Sequence, residues 1–197
     1  MLNAEDIILY RSVFEGLNPL DVVELARLAH TKKLKAGEIY IQEGSVSQRL
    51  AYIKRGLIRA YYLKKNGDDA TLMLRWENQF VASVDSVIFG KPSRFIYQAL
   101  EDTVLMEVDY LKAKPVIDKS PGLSASGNAF IVHMLGQAME RMEGFVLLSP
   151  EERYLKLIHE KRDINNRVPD KYLATMLGIT PVSLSRIRRR IALQQKH

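Results

Sequence analysis

Asp170-Lys-Tyr-Leu-Ala-Thr-Met-Leu-Gly-Ile-Thr-Pro-Val-Ser-Leu-Ser-Arg-Ile-Arg-Arg-Arg190 is the stretch on which the reading of this chain turns. Its first part, Asp170 to Leu177, predicts a helix with Leu173, Ala174 and Leu177 on one face. Ala174 is small enough to let a second helix cross close by. Gly178 is placed to end the helix, because glycine enters the left-handed region cheaply. Ile179 plugs the corner, Thr180 caps the next helix, and Pro181 opens it where the missing N–H costs nothing. On this second helix Leu184 and Ile187 face inward. Val182, Ser183, Ser185, Arg186 and Arg189 face outward, with Arg188 and Arg190 flanking.

An ordinary αα-hairpin with a solvated basic face shares the helix–Gly–helix pattern. The small residue at the crossing, the Gly-Ile-Thr turn and four arginines between Arg186 and Arg190 favour a helix-turn-helix that binds DNA. A major groove admits one helix, whose outward N-terminal side chains meet base edges. The expected DNA-binding residues are therefore Thr180, Val182, Ser183, Ser185, Arg186, Arg188, Arg189 and Arg190. Arg186 is the expected guanine reader, since a guanidinium bonds O6 and N7 together. Val182 suits a thymine methyl, Ser183 and Ser185 suit phosphates or bases, and Arg188 to Arg190 suit backbone phosphate.

The distribution of charge agrees. Of 197 residues with a net charge of +6, those from Ser149 onward hold 11 Lys/Arg against 5 Asp/Glu, while the rest hold 18 of each. A segregated positive excess favours a polyanionic partner, because each phosphate contact releases counterions. Cysteine is absent, which removes disulfides, thiolate zinc sites, cysteine-held iron–sulfur clusters and a thiol nucleophile together. No apolar run approaches the ~20 residues of a membrane span. The acidic Glu5 and Asp6 sit where a secretion signal is basic, so the expected location is the cytoplasm of a bacterium. No paired acid/base group, phosphate loop or metal-ligand spacing is present, and the expectation is that the chain is not an enzyme.

Upstream, three regions differ in period. Residues 5–30 read as short helices. Residues 31–109 read as short β runs: Glu38–Gln42, Leu50–Ile53, Leu57–Leu63, Ala70–Leu74, Phe95–Leu100 and Val104–Val108. Lys65-Asn66-Gly67-Asp68 reads as a type I′ hairpin turn. From Leu123 to Leu148 the period is helical. Phe130, Met134, Ala138 and Met142 step by four, and Ile131, Leu135, Met139 and Phe145 broaden the stripe. This is either a core helix of one chain or a dimer seam, and the seam is favoured on Phe130, Met134, Leu135, Ala138, Met142 and Phe145. Ser149-Pro150-Glu151-Glu152 marks a capped helix start and the best domain boundary. The division expected is 1–120, 121–148 and 149–197.

In order, these segments resemble the Crp/Fnr family, that of catabolite activator protein and its fumarate–nitrate relatives. The resemblance rests on Lys35 to Gly44, Tyr52 to Tyr61, Phe80 to Tyr97, Ser149-Pro-Glu-Glu-Arg-Tyr154 and Leu173 to Ile187. It implies an α+β chain: an N-terminal double-stranded β-helix (a jelly-roll-like β-roll) as sensor with flanking helices, a long dimerisation helix, and a C-terminal helix-turn-helix. It also implies a homodimer on near-palindromic double-stranded DNA, with RNA polymerase as a further partner. Because His197 follows closely on the recognition helix, the helix-turn-helix is expected to lack a full wing.

Family members that bind cyclic AMP place a Gly-Glu pair on the ribose and an Arg-Ser or Arg-Thr pair on the phosphate. Here Ala82-Ser83 and Arg94-Phe95 stand at those positions, and Ala138 and Met139 stand where the base would be met. The effector pocket implied is thus Ser83, Arg94, Phe95, Ala138 and Met139, with one arginine retained. Arg94 either binds an anion or pairs with Asp85. No cofactor is specified; the expectation is an unknown small-molecule effector or none, ranked above ordinary cyclic-AMP control, with a cyclic nucleotide still open. The alternative function is a cyclic-nucleotide-binding sensory module whose helical tail touches protein rather than DNA.

Overall fold

The computed structural model describes residues 18–194, so the helices expected over residues 5–17 lie outside the described residues. In order, the elements are α1 (Pro19–Leu28), β1 (His30–Leu34), β2 (Ile39–Ile41), β3 (Arg49–Arg55), β4 (Ile58–Leu63), β5 (Asp69–Arg75), β6 (Phe80–Ala82) and a short α2 (Val84–Val87). Then come β7 (Ile96–Ala99), β8 (Thr103–Asp109), α3 (Tyr110–Lys119), α4 (Pro121–Leu147), α5 (Pro150–Glu160), α6 (Ile164–Arg167), α7 (Asp170–Leu177) and α8 (Pro181–Gln194). No helix among the described residues is long and apolar enough to cross a membrane.

The strands form two four-stranded sheets, ordered β1-β8-β3-β6 and β2-β7-β4-β5. In the first sheet every neighbouring pair is antiparallel. β8 shows the two-residue period of a strand with one covered face: Thr103, Leu105 and Glu107 are buried and the residues between are not. The buried Glu107 carboxylate keeps its charge tolerable through two partners, the Tyr40 hydroxyl at 2.9 Å and His30 Nε2 at 2.9 Å across the β1–β8 ladder. Burial, and then that carboxylate, push the Tyr40 phenol far above its ordinary pKa.

The hairpin between β4 and β5 differs from expectation. Gly67 has φ 86°, but Asn66 is not left-handed; a type I′ turn needs both. The Gly67 N–H donates to the Lys64 carbonyl at 2.9 Å and the Lys64 N–H to the Asp68 carbonyl at 2.8 Å. That is a type I turn closed by a glycine bulge, with the Asn66 side chain accepting from the Asp68 N–H at 3.1 Å.

The chain divides into two compact units: residues up to 60 with 74–134, and residues 61–73 with those from 135 onward. α4 is therefore shared, its first half belonging to one unit and its second half to the other. In the first unit the Phe130 ring of α4 packs edge-to-face on Phe80 of β6, centroids 4.8 Å apart, and Phe80 in turn meets Tyr52 at 5.3 Å.

In the second unit, Ser149 begins α5 with a reciprocal capping box. Its hydroxyl accepts from the Glu152 N–H, and the Glu152 carboxylate accepts from the Ser149 N–H at 2.8 Å. The core collects Tyr154 and Leu157 of α5, Ile164, Val168, Leu173, Ala174 and Leu177, closed by Leu184, Ile187 and Ile191 of α8. The last three recur at i, i+3 and i+7, the spacing of one helix face.

Candidate nucleic-acid interface

α7 and α8 are joined by Gly178, Ile179 and Thr180. Gly178, at φ 72°, stops α7 in a Schellman arrangement: the Gly178 N–H reaches the Thr175 carbonyl at 3.2 Å and the Ile179 N–H the Ala174 carbonyl at 3.0 Å. Thr180 then caps α8, its hydroxyl accepting from the Ser183 N–H at 3.1 Å and meeting the Ser183 hydroxyl at 3.0 Å. Ala174, with no exposed surface, sits where the two helices pack.

The outward face of α8 carries Val182, Ser185, Arg186 and Arg189, all exposed. Arg186 and Arg189 have no hydrogen-bond or ion-pair partner among the described residues. The other two arginines are committed. Arg188, expected at a phosphate, donates Nη1 to Asp170 at 2.6 Å, Nη2 to Asn165 at 3.0 Å and Nε to the Tyr154 hydroxyl at 3.2 Å, with its guanidinium over the Tyr154 ring. Partial burial works against its charge, but the Asp170 and Tyr154 hydrogen bonds prevail and hold its pKa above the ordinary value. Arg190 is ion-paired with Glu151. All these partners come from α5, α6 and α7, so local spacing on α8 gives no sign of them. Arg188 thus ties α8 to the three helices behind it.

Ordering the arginines in this way gives a discriminating prediction. Arg188→Ala is expected to lower stability by about 2 kcal/mol, the scale of a hydrogen bond to a charged group. Any residual DNA affinity should keep its salt slope. Arg189→Ala is expected to leave thermal stability unchanged and to reduce that slope by about 1, the share of a single neutralised phosphate. Thermal melts and anisotropy titrations across salt concentrations check both.

On the same unit Lys171, at the first turn of α7, pairs with Asp69 of β5 at 3.4 Å. The Thr175 hydroxyl of α7 meets Thr71 of β5 twice, accepting from its backbone N–H at 3.2 Å and bonding its hydroxyl at 3.0 Å.

The second half of the candidate machinery is α4. Its exposed apolar residues include Val132, Leu135, Met139, Met142 and Val146. They follow a 3-4-3-4 spacing, the seam pattern of paired helices. Ala138 is exposed beside them, and Met134 is half-buried. Phe130, expected on the seam, is instead engaged with Phe80. The Arg141 and Arg153 guanidiniums both lie over the Phe145 ring, 5.5 and 4.8 Å from its centroid. Val132 lies off the step-of-four line through Phe130, Met134, Ala138 and Met142, whereas Val146 is its next member.

In the first unit the segment from Phe80 to Phe95 holds the expected effector residues. Ser83 has no exposed surface; its hydroxyl caps α2, accepting from Ser86. The Ser86 hydroxyl donates to it as well, at 3.3 Å. Arg94 donates Nη2 and Nε to Asp85 at 2.9 and 3.1 Å, its N–H reaches the same carboxylate at 3.1 Å, and its guanidinium stacks near Phe95. Asp85 is buried while the Arg94 side chain is 72% exposed, so the pair lies at the surface with the carboxylate turned in. The Arg94 hydrogen bonds, against the burial penalty, hold the Asp85 carboxyl below its usual range. Burial and the nearby Asp85 charge push the buried Tyr97 phenol up to about 12. Ala138 and Met139 lie exposed on the part of α4 that belongs to the second unit.

The Asp85–Arg94 pair makes a pH prediction. A carboxyl whose folded pKa is depressed adds stability that is complete above its unfolded value, and that is lost as pH falls through the folded value. Asp85→Asn is expected to lower the melting temperature by roughly 2–4 °C at neutral pH, discounted for the exposure of Arg94. The difference should vanish in strong acid. Melts of both proteins from pH 2 to 8 check it.

No family model and no curated protein matches the sequence. Solved structures do. FixK2 of Bradyrhizobium japonicum matches with TM-score 0.72 at 16% identity, over 85% of this chain and 86% of that one. A protein described as a Crp/Fnr-family transcriptional regulator from Eubacterium rectale gives 0.69 at 18%, over 92% and 87%. The c-di-GMP-responsive global regulator CLP of Xanthomonas campestris gives 0.68 at 13%, over 90% and 93%. At these identities the likeness is one of fold, and it spans both units.

Proposed function

From this Crp/Fnr-type fold we propose that the chain is a homodimeric, sequence-specific DNA-binding transcription regulator. α8 is its recognition helix, α4 its seam, and the β-roll an effector domain that does not answer to cyclic AMP in the usual way. The observation that carries the reading is the sorting of the arginines on α8. Arg186 and Arg189, on the outward face beside Val182 and Ser185, have no partner among the described residues, while Arg188 and Arg190 are spent on holding the helix in place. A basic helix kept only for solubility has no need of such a division. The seam stripe of α4 supports the dimer, and two copies of α8 then enter successive major grooves ~34 Å apart. The functional division follows 1–120 for the β-roll, 121–148 for the seam and 149–197 for DNA, with RNA polymerase as the further protein partner. In the β-roll, the Asp85 carboxylate already fills the guanidinium of Arg94, which leaves it poorly placed to receive a cyclic phosphate.

The reading is tested by selection from a randomised duplex pool with purified protein, with and without small-molecule extract. The expected product is one enriched near-palindromic site. A pool that stays random after repeated rounds in both conditions rejects it.

A further inference from the structure

Two arginines outside the expected interface meet at the end of α4. Arg153, on α5, donates Nη1 to the Leu148 carbonyl at 2.6 Å and to the Gly144 carbonyl at 3.5 Å. Its Nε and Nη2 reach the Leu177 carbonyl at 3.3 and 3.2 Å. Arg141, on α4, donates Nη2 to the Met176 carbonyl at 3.1 Å. Both guanidiniums lie over the Phe145 ring. Carbonyls 144 and 148 stand at the C-terminal end of α4, and 176 and 177 at that of α7. There the helix dipole is negative, so a cation is favoured at each, although the Gly144 carbonyl also accepts the Leu148 N–H at 3.2 Å. The joint is closed on its remaining side by Gly178, where a Cβ would stand 3.0 Å from Phe145 Cε1. Only Leu148 and Ser149 lie between α4 and α5. Besides the two arginines, the turn of the chain at that point is held by the Ser149 cap and by the exposed Lys156–Glu140 ion pair at 2.6 Å, a weaker surface contact between α5 and α4.

We propose that Arg153 and Arg141 are positioning residues that fix the direction of the α7–α8 pair against α4, and thereby the spacing between the two DNA half-sites. The proposal rests on the dimeric DNA-binding reading above. If two chains pair along α4, the angle at this joint sets the distance from the seam to each recognition helix. Neither side chain belongs to the outward face of α8, so base preference within a half-site stays as it is. Arg153 is suited to the task as lysine is not. Its planar fork reaches three carbonyls from two helices, whereas an ammonium is a single point of charge.

The test measures affinity for inverted repeats of the selected half-site, with the spacer changed one base pair at a time. Each step moves a half-site by about 3.4 Å and turns it by about 35° around the duplex. Wild type is expected to lose about tenfold or more one step from its optimum. Arg153→Ala, Arg153→Lys and Arg141→Gln are expected to vary less than about threefold over the same steps, with the penalty for a changed base inside the half-site preserved. If Arg153→Ala fails to fold, the other two variants give the reading. A wild-type profile already flat, or an optimum equally sharp in Arg153→Lys and Arg141→Gln, overturns the proposal. A wild type that binds no selected duplex is a different result, and sinks the DNA-binding reading itself.

Discussion

Glutamate at both Leu135 and Met142 is expected to turn the protein from dimer to monomer and to weaken operator binding by about 10²–10⁴-fold. The two residues are 61% and 55% exposed on α4 and alternate with Val132, Met139 and Val146 at seam spacing. Burying a carboxylate against its symmetry mate in an apolar seam is prohibitive, so the pair comes apart rather than rearranging. Each monomer still presents α8 to one half-site, but the second half-site is no longer met at high local concentration. Because both side chains are exposed in the single chain, the substitutions leave its own core intact. Sedimentation or light scattering gives the mass, circular dichroism confirms retained helix, and anisotropy gives the affinity. A dimer of unchanged mass would move the seam elsewhere on the molecule.

Arg186→Ala is expected to cost about 1–3 kcal/mol per half-site and to abolish the preference for one base pair. Arg186 is exposed two residues beyond the buried Leu184, and with no partner among the described residues its full fork is open to a guanine edge. Competition against duplexes altered at each position reads the result. Weakening at one base pair with the others unchanged marks a base contact. A uniform weakening marks a phosphate contact and moves the reading role to Ser185 or Arg189.

Much of this architecture is legible in local pattern. The bounds of α7 and the Ser149 capping box follow from side chains whose roles are set by near neighbours. β1 is not legible that way. His30-Thr-Lys-Lys-Leu34 buries only Leu34, because it is an edge strand whose lysines discourage further pairing. α3 is obscured by Pro115 inside it. At the interface, the inward positions of α8 are readable from Leu184 and Ile187, but the fate of its arginines is not. The partners of Arg188 lie 18 to 34 residues away and become neighbours only after folding. The same holds for the register of α4, where Phe130 is taken by Phe80 from a distant strand. The exposed stripe becomes visible only once those engaged rings are set aside.

In the proposed complex α8 enters the major groove and reads a guanine through Arg186. Methylation of guanine N7 blocks just that contact, so interference footprinting on the selected site tests it most directly. One strong guanine per half-site is expected, the two about one helical turn apart, with the interference at both abolished in Arg186→Ala. Binding indifferent to N7 methylation, or interference that persists unchanged in Arg186→Ala, would contradict it.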